Sequence, residues 1–252
     1  MRRRPLIIAN WKMQLPDPAQ ELKLARAAVR GAKKYAGIDL VIAPSFLSLV
    51  PIKQSLKSQI VLAAQDCAGG VKGAETGEVS PVALEKSGCK YVIVGHSERR
   101  ARYGDNADLI AQKLNTIFSF CPKLIPILCI GESAQERSGG RTESVINQQL
   151  EVLRQKFSPR QELVIAYEPV WAIGSGATPT PAECTTVYIQ IRAWLTKNTA
   201  PFKKISILYG GSVDMKNAAS FLDEDGADGL LIGGASLKTT DLLGIVKAVS
   251  VK

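Results

Sequence analysis

The chain has 252 residues, 46% hydrophobic and 22% charged, a balance that is ordinary for a globular protein with a large core. It contains no run of about 18 apolar residues, so the sequence predicts no transmembrane helix and no membrane partner. The net charge of +9 favours anionic partners, but the basic residues are scattered and only 6% of residues are aromatic, which argues against a nucleic-acid-binding protein. The five cysteines form no CxxC pair and are odd in number, which predicts reduced thiols in a cytoplasmic protein rather than disulfides or structural zinc.

Short apolar runs recur along the whole chain and alternate with longer segments of helical periodicity. The runs lack a strict polar–apolar alternation, which is typical of parallel strands buried on both faces. Their starts lie about 32 residues apart on average, a spacing that suits a strand followed by a helix. The predicted strands are Leu6–Ala9, Leu40–Ala43, Ile60–Ala64, Tyr91–Val94, Leu124–Ile130, Leu163–Tyr167, Ile205–Tyr209 and Gly229–Ile232.

Several helices can be predicted from their first residues or from their periodicity. Asp17–Pro18 supplies an N-cap and a proline at the first helical position. Thr180–Glu183 has the spacing of a capping box, again with proline at the first position. Near the end of the chain, Leu242, Val246 and Val249 recur at helical spacing and predict a helix with one apolar face.

Eight strand-plus-helix units without a linker or a break in composition favour a single-domain (β/α)8 barrel, an α/β fold that makes residues 1–252 one catalytic domain. A doubly wound open sheet is the alternative. It would not need eight evenly spaced strands, and no GxGxxG sequence follows the first strand, which weakens a dinucleotide site.

In such a barrel the active site lies at the carboxyl ends of the strands, and three ionisable residues fall there. Lys12 follows the first strand, His96 the fourth and Glu168 the sixth. Lys12 could equally be a solvated charge, and His96 a hydrogen-bonded structural histidine. Because His96 is the only histidine, the chain cannot form a two-histidine metal site, and we expect no metal.

The last two strands are followed by paired glycines, Gly210-Gly211-Ser212 and Gly233-Gly234. Glycine lets backbone N–H groups approach a ligand closely, and barrels often bind phosphate after strands seven and eight. Tight turns would explain either pair alone. The segment 169–177 has an apolar centre between proline and glycines, which fits a lid over the substrate, or alternatively a static packing on the barrel rim.

One carboxylate, one imidazole, one ammonium and a phosphate loop together suit proton abstraction next to a carbonyl group. The carboxylate would remove a carbon-bound proton while the other groups stabilise the enediolate oxygens. The sequence therefore predicts a small phosphorylated aldehyde or ketone as substrate, and no cofactor.

The chain resembles the triosephosphate isomerase family over nearly its whole length. Six motifs carry the resemblance: Ala9–Met13, Gly95–Arg100, Cys129–Glu132, Tyr167–Gly174, Tyr209–Val213 and Gly233–Leu237. The resemblance implies a TIM barrel that interconverts dihydroxyacetone phosphate and D-glyceraldehyde 3-phosphate in glycolysis and gluconeogenesis.

The resemblance also implies a role for individual residues. Glu168 would be the base, His96 a neutral imidazole acting on the carbonyl oxygen, and Lys12 the cation supported by Glu98. The substrate-binding set implied by the family is Asn10, Lys12, Gly174, Ser212, Gly233 and Gly234.

The segment Gln65–Val79 is similar to the family's interdigitating loop, which implies a homodimer with Thr76 reaching the neighbour's active site. Three positions depart from the family's pattern: Asp66, Glu75 and Ala177. Because of Asp66 and Glu75, the resemblance does not determine the strength of the dimer interface. Because of Ala177, it does not determine the kinetics of the lid.

Two other functions remain as alternatives. A Schiff-base aldolase would need a lysine nucleophile, and none lies within a predicted strand. A polyanion-binding scaffold would use the charge of +9 and would be retained on nucleic acid in a salt-dependent way.

Overall fold

The computed structural model describes residues 4–154, 161–173, 177–199, 202–222 and 226–250. Its strands are β1 (Leu6–Asn10), β2 (Asp39–Ala43), β3 (Val61–Ala64), β4 (Cys89–Val94), β5 (Ile125–Ile130), β6 (Glu162–Tyr167), β7 (Lys204–Tyr209) and β8 (Gly229–Ile232). Each strand pairs in parallel with the next, and β8 pairs with β1 to close the barrel. Every predicted strand is confirmed to within two residues at each end. The closed barrel rules out the doubly wound open sheet.

The strands are buried on both faces, and successive residues belong to two different apolar layers. Ile7 packs in a cluster with residues of the surrounding helices, whereas Ile8 packs in a cluster made of strand residues alone. The second cluster therefore fills the barrel interior, and the first lies between the barrel and the helices. This arrangement explains why the strand sequences lack polar alternation.

Closure of the barrel depends on a glycine in the last strand. Gly229 lies opposite Leu6, and a Cβ atom at Gly229 would come within 2.0 Å of the Leu6 carbonyl oxygen. No side chain fits between these two backbones, so only glycine allows β8 to approach β1 at this point.

The helices cover the outside of the barrel. They are α1 (Pro18–Ala32), α2 (Phe46–Leu56), α3 (Pro81–Lys86), α4 (Ser97–Arg102), α5 (Ala107–Phe120), α6 (Ala134–Ser138), α7 (Thr142–Leu150), α8 (Pro181–Asn198) and α9 (Thr239–Val249). Leu242, Val246 and Val249 of α9 are all buried, as predicted. None of the helices described is long and apolar enough to cross a membrane.

The two predicted helix starts are confirmed. The Asp17 carboxylate accepts a hydrogen bond from the Ala19 N–H at 2.8 Å and caps α1. At the start of α8, the Thr180 hydroxyl accepts from the Glu183 N–H, and the Glu183 carboxylate accepts from the Thr180 N–H at 2.7 Å. Both reciprocal bonds of a capping box are therefore present.

Replacing Thr180 with alanine should lower the free energy of unfolding by about 1 kcal/mol at neutral pH, because α8 loses a capping oxygen. Hydrogen bonds from the Thr180 N–H and hydroxyl lower the pKa of Glu183. The stabilisation from Glu183 is therefore present above the ordinary glutamate pKa and is lost as the pH falls through the folded-state value. Urea unfolding at pH 7 and in acid measures both effects; an equal loss at both pH values would contradict the assigned role of Glu183.

All five cysteines are free and buried, which confirms the prediction of unpaired thiols. Burial raises the pKa of Cys121 to about 11 and that of Cys89 to about 12. Because only the thiolate reacts readily, these groups act as packing residues at neutral pH.

Candidate active site

A cavity of about 460 Å³ opens at the carboxyl ends of the strands. The seven predicted substrate-site residues that the structure describes all line it, namely Asn10, Lys12, His96, Glu168, Ser212, Gly233 and Gly234. They come from the ends of β1, β4, β6, β7 and β8. Gly174, the remaining predicted residue, lies outside the described residues.

The buried centre of this cavity is formed by Glu168 and His96, with 2% and 6% of their surfaces exposed. The Nε2 atom of His96 lies 3.1 Å from Oε1 of Glu168. The second carboxylate oxygen, Oε2, accepts a hydrogen bond from the Ser97 N–H at 3.0 Å. Both carboxylate oxygens thus have a partner, and the Glu168 carboxylate is fixed at the cavity wall.

Close approach of the backbones of β5 and β6 brings Glu168 to this position. The Glu168 N–H donates to the Ile130 carbonyl at 2.7 Å, one residue beyond the end of β6. A Cβ atom on Gly131 would come within 1.7 Å of the Glu168 carbonyl oxygen, so position 131 must be glycine. Pro169 follows and ends the strand.

The hydrogen bonds of His96 identify its tautomer. Nδ1 accepts from the Glu98 N–H at 3.2 Å, so Nδ1 carries the lone pair and Nε2 carries the proton of a neutral imidazole. His96 is also the N-cap of α4, and the bond to Glu98 N–H is the capping bond. The geometry therefore presents an N–H donor, rather than an imidazolium, to the cavity.

Lys12 lines the same cavity as His96 and follows the end of β1. Its Nζ atom lies 2.7 Å from Oε1 of Glu98. Burial alone would raise the pKa of Glu98, but the hydrogen bond and the charge of Lys12, together with weaker contributions from His96 and Arg102, hold the pKa below its ordinary value. Glu98 is therefore an ionised partner that keeps the Lys12 ammonium at the cavity.

The glycine pairs after β7 and β8 form another part of the cavity wall. A Cβ atom on Gly233 would lie 3.3 Å from Cε of Lys12, so glycine leaves room for the lysine chain. Ser212 donates its hydroxyl to the Ala172 carbonyl at 3.0 Å and links this wall to the segment after Glu168.

Glu132 is a buried carboxylate whose role the sequence did not reveal, although it belongs to a recognised motif. It accepts hydrogen bonds from the Trp171 indole N–H at 2.9 Å and from the Tyr167 hydroxyl at 3.1 Å. The guanidinium of Arg137 lies 4.0 Å from the Trp171 ring centroid. Trp171 is thus held at the barrel rim, while Val170 beside it is 36% exposed. The lid remains a prediction, because residues 174–176 lie outside the described part of the chain.

A cluster of four charged side chains joins the loop after β3 to α4 and α5 and was also not predicted. Lys113 Nζ lies 2.8 Å from Asp66 Oδ1 and 3.0 Å from Asp105 Oδ2, and the three side chains are buried. Arg99 Nε lies 2.8 Å from Asp66 Oδ2. Asp66, which departs from the family's pattern, therefore has two cationic partners within its own chain.

Thr76 is the predicted contact residue that lies away from the cavity. It is exposed, as is the neighbouring Glu75, on the loop that follows β3. Within one chain, the structure does not bring Thr76 to the other site residues. Ala177 is likewise exposed, at the end of the segment 169–177 that is predicted to form the lid.

Two lysines lie within the strands of the structure, whereas the predicted strand ranges contained none. Lys90 of β4 and Lys204 of β7 are both exposed and stand near the amino-terminal ends of their strands. They are therefore at the end of the barrel opposite the cavity, and neither supports a Schiff-base aldolase.

A model of the triosephosphate isomerase family matches residues 5–249. The chain belongs to this family. The triosephosphate isomerase of Carboxydothermus hydrogenoformans is 42% identical, over 97% of this chain and 98% of that protein. Those of Herminiimonas arsenicoxydans and Paracidovorax citrulli are each 39% identical, over 98% and 99% of this chain and 99% and 100% of those proteins. The resemblance seen in six motifs thus extends over the whole triosephosphate isomerase sequence.

Proposed function

We propose that this chain interconverts dihydroxyacetone phosphate and D-glyceraldehyde 3-phosphate, in the cytoplasm and as part of glycolysis and gluconeogenesis. One observation carries the proposal: Glu168, His96 and Lys12 meet in one cavity, on a chain of this family. The reaction needs no metal and no redox cofactor, because these groups supply a base, a hydrogen-bond donor and a cation. Residues 1–252 form one catalytic domain in this proposal.

The proposed reaction starts with Glu168 removing a proton from C1 of dihydroxyacetone phosphate. The C1–H electron pair forms the C1–C2 double bond, and the carbonyl oxygen on C2 becomes the enediolate oxygen. His96 stabilises this oxygen through Nε2–H, and the imidazole passes a proton between the two oxygens. Glu168 then returns its proton to C2, which gives the aldehyde. Bound substrate would take up the Nε2–H group, whose nitrogen lies 3.1 Å from Oε1 of Glu168 in the free chain.

The phosphate group is proposed to bind at the glycine-rich wall. Backbone N–H groups at Ser212, Gly233 and Gly234 would hold its oxygens, together with Gly174 of the predicted lid. The Lys12 ammonium lies beside Gly233 of this wall and in the same cavity as His96, so it can balance charge on both the phosphate and the enediolate. Asn10 lines the cavity beside it.

The homodimer is a second part of the proposal, and exposed apolar side chains support it. Met13 is 92% exposed, Leu47 77% and Val50 44%. They lie on the segments that follow β1 and β2. Gln65, on the loop after β3, donates hydrogen bonds to the Lys12 and Ala43 carbonyls at the starts of these segments. An apolar face of this kind is costly in water, and a second copy would cover it and take up Thr76.

A coupled assay on the purified chain tests the proposed activity. Dihydroxyacetone phosphate should be converted at a high rate with no added cofactor and in the presence of EDTA. Absence of conversion by a folded chain would contradict the proposal. Borohydride trapping with the same substrate should leave no covalent adduct, whereas an aldolase would be labelled.

Replacing Lys12 with methionine should lower kcat/KM on the order of 10²- to 10³-fold, because the site loses a positive charge that faces developing negative charge. The far-UV circular dichroism spectrum should stay unchanged, since Glu98 is left 41% exposed and can be hydrated. Steady-state kinetics with either triose phosphate measures the effect. Activity close to that of the wild type would remove Lys12 from the site.

A further inference from the structure

The backbone of Lys12 has an unusual conformation. Its φ angle is +53°, in the left-handed region that side chains other than glycine rarely adopt. Among the described non-glycine residues only Lys57 shares a positive φ. Such a conformation persists only where surrounding contacts fix it, and it is often found at functional sites.

Two side-chain amides fix the peptide groups on either side of Lys12. The Lys12 N–H donates to Oδ1 of Asn10 at 3.0 Å. On the other side, Nε2 of Gln65 donates to the Lys12 carbonyl at 2.8 Å and to the Ala43 carbonyl at 3.0 Å. Both amide hydrogens of Gln65 are thus used, and the side chain joins the ends of β1, β2 and β3.

The position of Gln65 is itself fixed by the next residue. Asp66 binds Lys113 and Arg99, each at 2.8 Å, and it is buried. The backbone that carries Gln65 therefore cannot shift without breaking this charged cluster. Because its backbone is held in this way, the Gln65 amide is in a fixed position from which it can hold the Lys12 carbonyl.

We propose that Gln65 is a positioning residue that holds Lys12 in its left-handed conformation and so directs the ammonium into the active site. In this conformation Nζ reaches Glu98 at 2.7 Å and passes beside Gly233 of the glycine-rich wall. An extended backbone at Lys12 would turn its carbonyl away from Gln65 and move the ammonium. The inference rests on the proposed function, because it takes Lys12 as the cation that binds the substrate.

Replacing Gln65 with methionine tests the inference, because methionine keeps the length and removes both hydrogen-bond donors. We expect kcat/KM to fall about 10- to 100-fold, the effect of a misplaced catalytic group. The matched control is Gln190→Met, since Gln190 also donates to two acceptors but does so between α7 and α8. That variant should keep the wild-type kcat/KM. Circular dichroism and thermal unfolding show that both variants are folded.

Two further measurements separate positioning from a general loss of structure. In a Lys12→Ala background, Gln65→Met should change kcat/KM far less than it does in the wild type, because no ammonium remains to be misplaced. Gln65→Glu should be impaired at neutral pH and should recover relative to the wild type as the pH falls, because a protonated carboxyl can again donate to the Lys12 carbonyl.

The outcomes are distinguishable from a failure of the proposed function. An inactive wild type would overturn the proposed function and this inference with it. An active wild type whose folded Gln65→Met variant keeps its kcat/KM overturns the inference alone. A loss that is as large in the Lys12→Ala background overturns it as well. If Gln65→Met does not fold, the pH profile of Gln65→Glu decides: a constant ratio to the wild type contradicts the inference.

Discussion

Glu168→Gln should lower kcat on the order of 10³- to 10⁴-fold, the range expected for the loss of a general base. Glutamine keeps the size of the side chain, and its carbonyl oxygen can still accept from the Ser97 N–H, which lies 3.0 Å from the carboxylate. The amide cannot take up a carbon-bound proton. KM should change little, because the glycine-rich wall and Lys12 are untouched. Steady-state kinetics in both reaction directions measures these values.

The matched control for this variant is Glu143→Gln, which makes the same chemical change at an exposed position of α7. It should keep the wild-type kcat. Near-normal turnover in folded Glu168→Gln would show that Glu168 is not the base, and the assignment of the site would fail. A large rise in KM with unchanged kcat would instead assign Glu168 to binding.

Lys113→Met should destabilise the chain by about 3 to 5 kcal/mol, the usual cost of removing one partner from a buried ionic cluster. Lys113 is only 2% exposed and lies within 3.0 Å of both Asp66 and Asp105. Without its ammonium, two buried carboxylates face each other with Arg99 as the remaining cation. Urea unfolding at one protein concentration measures the loss, since the proposed dimer makes stability depend on concentration.

Lys123→Met is the control for Lys113, because Lys123 is an exposed lysine just beyond α5. Its stability should stay close to that of the wild type. If Lys113→Met is as stable as this control, the cluster contributes little and the support it gives to Gln65 is weaker than we infer.

The barrel and most of its active-site wall could be predicted from the sequence for a simple physical reason. Parallel strands buried on both faces produce uninterrupted apolar runs, and their ends bring distant residues to one edge. Lys12, His96 and Glu168 each lie one or two residues after the end of such a strand, so their meeting in one cavity follows from the fold. The capping box of α8 and the prolines at the first positions of α1 and α8 were also predictable, because they depend on residues close in sequence.

The side-chain networks around the site could not be predicted in this way. Asp66, Asp105 and Lys113 lie on a loop after β3, a loop before α5 and α5 itself, and no periodicity links them. The bonds from Trp171 and Tyr167 to Glu132 likewise depend on side-chain directions at the barrel rim. Such contacts are set by packing between elements, which local sequence patterns do not encode.

The dimer contact shows a different limit. Thr76 is exposed in the isolated chain, and its proposed neighbours belong to a second copy. Its role follows from the resemblance to the family, not from contacts within this chain. Sedimentation velocity would show whether the exposed faces around Met13 and Leu47 are covered in solution.

The most direct test of the central claim is conversion of unlabelled dihydroxyacetone phosphate by the wild-type chain in D₂O. Glu168 should exchange the removed proton with solvent while the enediolate is bound, so D-glyceraldehyde 3-phosphate should carry deuterium at C2 in ¹H NMR spectra. Product formed without any deuterium at C2 would indicate a direct hydride shift and would contradict a proton-transferring carboxylate at this site.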